Sequence, residues 1–175
     1  MDEQLRSVLK SQYHASLAML REAVERCPDT TWYDTTPTNA FWQIAYHALF
    51  FAQFYMQPDE HTFVAWARHQ ANVQNPDGIA GEPDPKSTRP LIPQPYSRAD
   101  VLAYWDYCDQ QVDEWVEALD LTRKDSGFSW YSVSKLEHQI VNIRHIQHHA
   151  AQLADRLRAV HDIGVRWAGS RRREG

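Results

Sequence analysis

The sequence predicts an all-α protein, a four-helix bundle with one long proline-rich connection between its second and third helices. Four segments repeat apolar residues at three- and four-residue intervals, which is typical of amphipathic helices. No segment alternates apolar and polar residues as a strand would, and seven of the nine prolines fall between residues 57 and 96. We expect one domain over residues 1–165 of the 175, followed by a basic, flexible C-terminal tail over residues 166–175.

The first two predicted helices are bounded by prolines. The first covers residues 3–26, where leucines and valines recur between charged residues, and Cys27-Pro28 ends it. The second begins near Thr36-Pro37-Thr38 and stops before Pro58. Its composition is almost entirely apolar, so we expect neighbouring helices to cover most of its surface.

The connection over residues 57–96 is too long to be a simple loop. Its part from residue 75 to residue 95 shows almost no periodicity, although residues 63–69 could form a short helix. Because long connections in compact domains are often functional, we expect this stretch to help shape a site.

The last two predicted helices begin with capping patterns. Ser97 with Asp100 resembles a capping box in which Asp replaces Glu, and Ser134 with Glu137 is a capping box of the usual composition. The fourth helix extends to about His161.

Composition excludes several classes of function. The formal net charge is −5, and the only basic cluster is Arg171 to Arg173 at the end of the chain, so we expect no nucleic-acid binding. Two cysteines, Cys27 and Cys108, indicate reduced thiols. With no signal-peptide pattern and no apolar segment long enough to span a bilayer, we predict a cytoplasmic protein without membrane contact.

Three histidines lie within five residues of the fourth helix, in the segment NIRHIQHHAAQL. At about 100° per residue, His145 and His149 share one edge of the apolar stripe, which is centred near Ile143, and His148 points to the opposite, polar side. The spacing of four residues allows two imidazoles to bind one metal ion. His145 with His148 is an alternative pair, but it would straddle the polar face.

Two histidines hold a metal weakly, so a third ligand is needed. His47 is the best candidate, because an uncompensated imidazole within the apolar second helix would be costly to bury. The alternative is that each of these residues is a hydrogen-bonded core histidine. His138 could line the site, but a solvated position near the start of the helix is favoured, and the remaining histidines receive no role: His14, His61, His69 and His161.

The residues around the candidate ligands argue against two familiar kinds of metal site, those of metallopeptidases and of di-iron bundles. Ile146 stands where a metallopeptidase H-E-x-x-H motif has its glutamate, and no glutamate lies three residues before a candidate ligand, as di-iron bundles require. Three imidazole nitrogens with one open position suit a divalent ion that activates a bound water or thiol. Zinc, nickel, manganese or iron would fit, and zinc or nickel is favoured.

The segments RHIQHHAAQL and WQIAYHALFF together resemble the DinB-like (DNA-damage-inducible B, bacillithiol transferase type) four-helix proteins. The resemblance implies an up-up-down-down bundle, often dimeric, that binds a divalent metal through three histidines. Carried over to this chain, it implies His47, His145 and His149 as ligands, His148 as a non-ligand neighbour and Gln152 as a matching glutamine. Ala150-Ala151 replaces the Arg-Gly that usually follows the paired histidines, so packing or a substrate contact at this point differs.

The resemblance implies a metal-dependent transferase that activates a low-molecular-weight thiol for attack on an electrophilic small molecule. Trp42 or Phe51 would add an apolar wall beside the metal. Two alternatives stay open: a non-catalytic, stress-associated protein in which the metal stabilises the bundle, and a helical interaction module without metal. We also expect a homodimer, from the resemblance and from the aromatic surface that seven tryptophans suggest.

Overall fold

A computed structural model describes residues 2–37, 39–71, 73–75 and 94–171. Its helices are α1 (Asp2–Arg26), α2 (Asp29–Trp32), α3 (Phe41–Tyr55), α4 (Arg98–Ala118) and α5 (Lys135–His161). The four long helices form a bundle, and the described residues contain no strand. The predicted all-α four-helix bundle is therefore confirmed.

The helices occupy the corners of a square when the bundle is viewed along its axis. α1 packs chiefly against α4 and α5, and α3 packs against the same two helices. α1 and α3 therefore lie diagonally across the core, and the candidate histidines lie where α3 meets α5.

Contacts between helices give their directions. α1 and α5 are parallel, because residue numbers rise together along their contacts, Tyr13 with Gln139 and Met19 with Gln147. α3 and α5 are antiparallel, with His47 against His145 and Tyr55 against Gln139. α1 and α4 are also antiparallel, with Arg6 against Leu119 and Leu17 against Trp105. In chain order the four long helices therefore run up, down, down and up.

The up-up-down-down order implied by the resemblance does not fit these contacts, because α3 and α5 run in the other direction. The lengths of the connections explain the difference. The short connection from α1 reverses the chain into α3, while residues 56–97 form a connection long enough to return along the bundle and start α4 parallel to α3.

The second long helix begins later than its sequence pattern predicts. α3 starts at Phe41, and the side chain of Gln43 accepts a hydrogen bond from the backbone N–H of Ala40 at 2.8 Å. The predicted start overlaps Thr38, which lies outside the described residues, and the short α2 was not predicted. Residues 63–69 form turns and irregular structure, so the short helix expected there is wrong.

Capping places the starts of α4 and α5 where the sequence predicts them. Ser97 and Asp100 form a reciprocal capping box, with Asp100 N donating to Ser97 Oγ at 3.1 Å and Ser97 N donating to Asp100 Oδ2 at 3.2 Å. Ser134 Oγ accepts from Glu137 N at 3.2 Å. These contacts satisfy N–H groups that lack partners within the helix.

The buried face of α5 is more polar than its sequence suggests. Ile143, the expected centre of the stripe, is only half-buried, and Ile140 is exposed. The buried residues form a different stripe along the helix, and the first half of this stripe is polar. Its members are Lys135, His138, Gln139, Asn142, Ile146, Ala150, Leu153 and Leu157. The structure thus shifts the centre of the buried stripe toward Asn142 and Ile146.

The expected C-terminal tail is described as far as Arg171; the rest of the basic cluster lies outside the described residues. In the described part, Gln12 donates to the carbonyl of Gly169 at 3.0 Å, and Arg171 pairs with Asp113 at 2.9 Å. This segment therefore contacts α1 and α4, and its flexibility stays a prediction.

None of the helices in the described part of the chain has the length and apolar character that a membrane crossing needs.

Candidate metal centre

Three histidines from two helices meet at the α3–α5 interface. The Nε2 atom of His145 lies 3.1 Å from Nε2 of His47 and 3.1 Å from Nε2 of His149. Each ring offers one ligand atom, and these three atoms all lie within 4.8 Å of one another. His145 and His149 are four residues apart and so lie on successive turns of α5. The antiparallel packing of α3 on α5 brings His47 beside them.

Hydrogen bonds at the far side of two rings orient these nitrogens. Nδ1 of His47 lies 2.6 Å from the carbonyl oxygen of Gln74, and Nδ1 of His149 lies 3.1 Å from Oε1 of Gln152. Both oxygens are acceptors, so Nδ1 carries the proton in both rings and Nε2 presents a lone pair to the centre. Metal-binding histidines are commonly oriented by such contacts.

The electrostatics of the cluster disfavour added protons and suit a cation. Burial, followed by the neighbouring imidazoles of His149, His47 and His148, lowers the pKa of His145 from 6.5 to about 3. Its ring is therefore neutral at physiological pH, as a metal ligand must be. Two nitrogens bound to one tetrahedral ion at about 2.0–2.1 Å lie about 3.3–3.4 Å apart, close to the 3.1 Å that separates Nε2 of His145 from Nε2 of His47 and of His149.

The surroundings of the cluster are partly aromatic. The ring of Phe51 lies 4.8 Å from that of His47 and 5.6 Å from that of His145, between centroids. Phe51 thus lies where the expected apolar wall would be. Trp42 packs on Tyr96 instead, with ring centroids 6.0 Å apart.

No fourth metal-binding side chain completes the cluster within the described ranges, where His47, His145 and His149 form the only such group of His, Cys, Asp or Glu. His148 is exposed and outside this group, as its position on the helix predicts. An ion held by three nitrogens would retain a position for an exogenous ligand, which is typical of catalytic rather than structural zinc.

Neither cysteine is placed to act as a nucleophile. Cys27 and Cys108 are both free and buried. Burial raises the pKa of the Cys27 thiol to about 12 and raises the pKa of the Cys108 thiol well above its usual value. Both side chains therefore stay protonated and unreactive in the fold.

His138 corrects the expectation of a solvated position. Its side chain is fully buried among the rings of Tyr55, Phe128 and Tyr131, at centroid distances of 4.7 to 4.8 Å, and neither ring nitrogen has a hydrogen-bond partner. Its spacing of seven residues from His145 indicates the shared helix face. What the sequence does not show is that the 119–134 connection folds over this face.

The Gln74 contact could not be found from the sequence, because it is made by a backbone carbonyl in an irregular segment. It brings residue 74, near the middle of the 57–96 connection, to the cluster. Residues 76–93 of that connection lie outside the described residues.

A four-helix bundle with three converging imidazoles defines a helical protein with a candidate divalent-metal centre. The sequence model of the DinB superfamily matches residues 12–153, a span that contains all three histidines. The chain therefore belongs to the DinB superfamily, and the resemblance is confirmed. No match was found among curated proteins or among solved structures.

Proposed function

We propose that this chain binds a divalent metal ion through His47, His145 and His149 and uses it to activate a small thiol for attack on an electrophilic small molecule. The convergence of one ring nitrogen from each of the three histidines, all within 4.8 Å of one another, carries the proposal. Zinc or nickel is favoured, since both accept three neutral nitrogens and a thiolate.

The tautomers support metal binding over simple hydrogen bonding. Nε2 of His47 and Nε2 of His149 both present lone pairs toward Nε2 of His145. A single N–H on His145 can donate well to one of them, whereas a cation satisfies all three nitrogens. In the absence of a cation, adjacent lone pairs would repel each other.

The state of the cysteines supports an exogenous thiol. Because the thiols of Cys27 and Cys108 are buried with raised pKa values, neither supplies the nucleophile. When bound, a divalent ion lowers the pKa of a coordinating thiol. The thiol loses its proton to solvent, its sulfur forms the new bond to the electrophilic carbon, and the leaving group departs with the electron pair of the broken bond.

The chain's own residues position the reactants. His47 and the α5 pair would fix the place of the ion, and Gln74 and Gln152 orient the rings of His47 and His149. Phe51 provides an apolar wall that keeps water from one side of the cluster. We also expect a homodimer, but of the seven tryptophans only Trp130 and Trp167 are exposed, so the aromatic surface gives it little support.

Metal analysis of the purified protein tests the ligand set. We expect about one equivalent of divalent metal in the wild type and in His148→Ala, the matched control on the same helix. His47→Ala and His149→Ala should each lose most of it, because two imidazoles bind weakly. Near-stoichiometric metal in both of these variants would disprove the site.

A panel of thiols and electrophiles tests the enzyme activity. We expect metal-loaded wild type to consume one thiol per electrophile, measured as loss of free thiol and as the mass of the conjugate, and His47→Ala to be inactive. A metal-loaded protein that turns over no pair, and whose unfolding temperature falls sharply on metal removal, would favour the non-catalytic alternative.

A further inference from the structure

One of the three candidate ligands lacks the contact that orients the other two. His47 and His149 each donate from Nδ1 to an oxygen, but Nδ1 of His145 is buried without a hydrogen-bond partner. A neutral imidazole that binds a metal through Nε2 carries its proton on Nδ1. This N–H needs an acceptor, since an unsatisfied buried donor is costly.

A matching acceptor lies three residues earlier on α5. Asn142 is fully buried, and its Oδ1 atom has no hydrogen-bond partner. Residues three apart on a helix are neighbours, with about 5–6 Å between Cβ atoms. Helical spacing therefore puts a residue with an unsatisfied acceptor on the turn before a residue with an unsatisfied donor, and the second residue is a candidate metal ligand.

The rest of the Asn142 amide is fixed by strong partners. Its Nδ2 donates to the backbone carbonyl of Ala52 at 3.1 Å and to the hydroxyl of Tyr13 at 3.0 Å. Tyr13 in turn donates to Oε1 of Gln139 at 2.7 Å, and Nε2 of Gln139 donates to the carbonyl of Tyr55 at 3.1 Å. This series of hydrogen bonds ends at backbone carbonyls, which can only accept. The donor and the acceptor of each hydrogen bond in the series are therefore fixed.

These contacts also explain the register of α5 on α3. Ala52 and Tyr55 belong to the last turn of α3, and carbonyls at a helix C-terminus generally lack a partner within the helix. The amides of Asn142 and Gln139 satisfy two of them and so fix α5 lengthwise. A reversed Asn142 amide would set its oxygen against the Ala52 carbonyl, so Oδ1 has to face away from that carbonyl.

We propose that Asn142 is a positioning residue, whose Oδ1 accepts the Nδ1–H of His145 and so holds its Nε2 toward the ion. The two atoms do not form a hydrogen bond in this structure, so the contact requires a small side-chain rotation or one bridging water. The inference rests on the proposed metal site and adds a residue to it. Through Asn142, the ligand is connected to the buried hydrogen bonds that join α1, α3 and α5.

Two substitutions at Asn142 separate positioning from packing. Asn142→Asp and Asn142→Leu both remove the donors to Ala52 and Tyr13, so both should destabilise the metal-free protein. Only the aspartate keeps an acceptor oxygen. We expect Asn142→Leu to bind Zn²⁺ about 10- to 100-fold more weakly than wild type, and Asn142→Asp to bind it at least as tightly. A chromophoric chelator in competition with the protein measures both affinities.

Tyr13→Phe is the control for damage to the core, because it breaks the same set of hydrogen bonds but keeps the Ala52 contact that orients the Asn142 amide. We expect it to lower stability and to leave Zn²⁺ affinity within about threefold of wild type. Since an aspartate also attracts a cation by its charge, imidazole NMR of zinc-loaded wild type gives an independent measure. The Nδ1 proton of His145 should be shifted downfield and protected from exchange, and this measurement does not depend on any variant folding.

Equal Zn²⁺ affinities for Asn142→Leu and wild type would overturn the inference, as would an Nδ1 proton of His145 that exchanges rapidly. Either result leaves the metal site intact, provided that wild type binds stoichiometric zinc. A folded wild type that binds no zinc, nickel, manganese or iron would instead overturn the site and this inference together.

Discussion

Replacing His138 with phenylalanine tests how α5 buries its polar face. The imidazole is fully buried, and both of its nitrogens lack partners. Burial, and then the nearby charge of Lys135, lowers the pKa of His138 from 6.5 to about 4. In the unfolded chain this pKa returns to its ordinary value. As the pH falls, the unfolded chain therefore binds a proton before the folded protein does, and the wild type loses stability below about pH 6.5.

The size of the effect follows from the difference between the two pKa values. Between pH 7.5 and pH 4.5, a histidine with pKa values of 6.5 unfolded and about 4 folded contributes a loss of about 2.5 kcal/mol. His138→Phe removes this loss. At pH 7.5 the variant should also be about 1 kcal/mol more stable, because a ring of similar size replaces two unsatisfied nitrogens. Its advantage at pH 4.5 should therefore reach about 3.5 kcal/mol.

Urea unfolding of the metal-free protein, followed by tryptophan fluorescence at the two pH values, measures this advantage. The difference between variant and wild type isolates His138 from other titrating groups. If the free energy of unfolding changes by the same amount at both pH values, the imidazole titrates normally in the fold. The buried position among Tyr55, Phe128 and Tyr131 would then be wrong.

Two further predictions concern groups away from the metal centre. Burial alone would lower the pKa of His14, but its hydrogen bonds to two aspartates raise this pKa above 6.5. The wild type should therefore be more stable than His14→Gln below about pH 6.5, and this difference should shrink as the pH rises further. A difference in the free energy of unfolding in urea that stays constant between pH 6 and pH 9 would contradict this. Cys27 and Cys108 are buried and their thiols have raised pKa values. Native protein should therefore react with a thiol reagent far more slowly than protein unfolded in urea. Equal reaction rates would contradict the burial of the two cysteines.

Local patterns in the sequence were sufficient to predict the four long helices and the starts of α4 and α5. Ser97 and Asp100 begin α4 as a capping box because the contact is made within four consecutive residues. The pairing of His145 with His149, and the exclusion of His148, follow from helical periodicity in the same way. Such features depend on neighbours along the chain, so they can be read without knowledge of the fold.

Longer-range features were missed or mistaken. His138 was expected to be solvated, yet it is buried together with Gln139 and Asn142, because other segments supply hydrogen-bond partners or aromatic cover. The direction of α3 was likewise mistaken, because helix direction in a bundle depends on the path of the connections. Periodicity in one helix contains no information on either point.

The sequence by itself determined four amphipathic helices, the family and three candidate ligand histidines, since each rests on spacing within one segment or on a motif. Only the tertiary structure decided that α3 and α5 pack antiparallel in the register that brings one ring nitrogen from each of the three histidines within 4.8 Å of the others. It also decided that Gln74 orients His47. These contacts join residues far apart in the chain, and their geometry depends on how the whole bundle buries its polar and apolar side chains together.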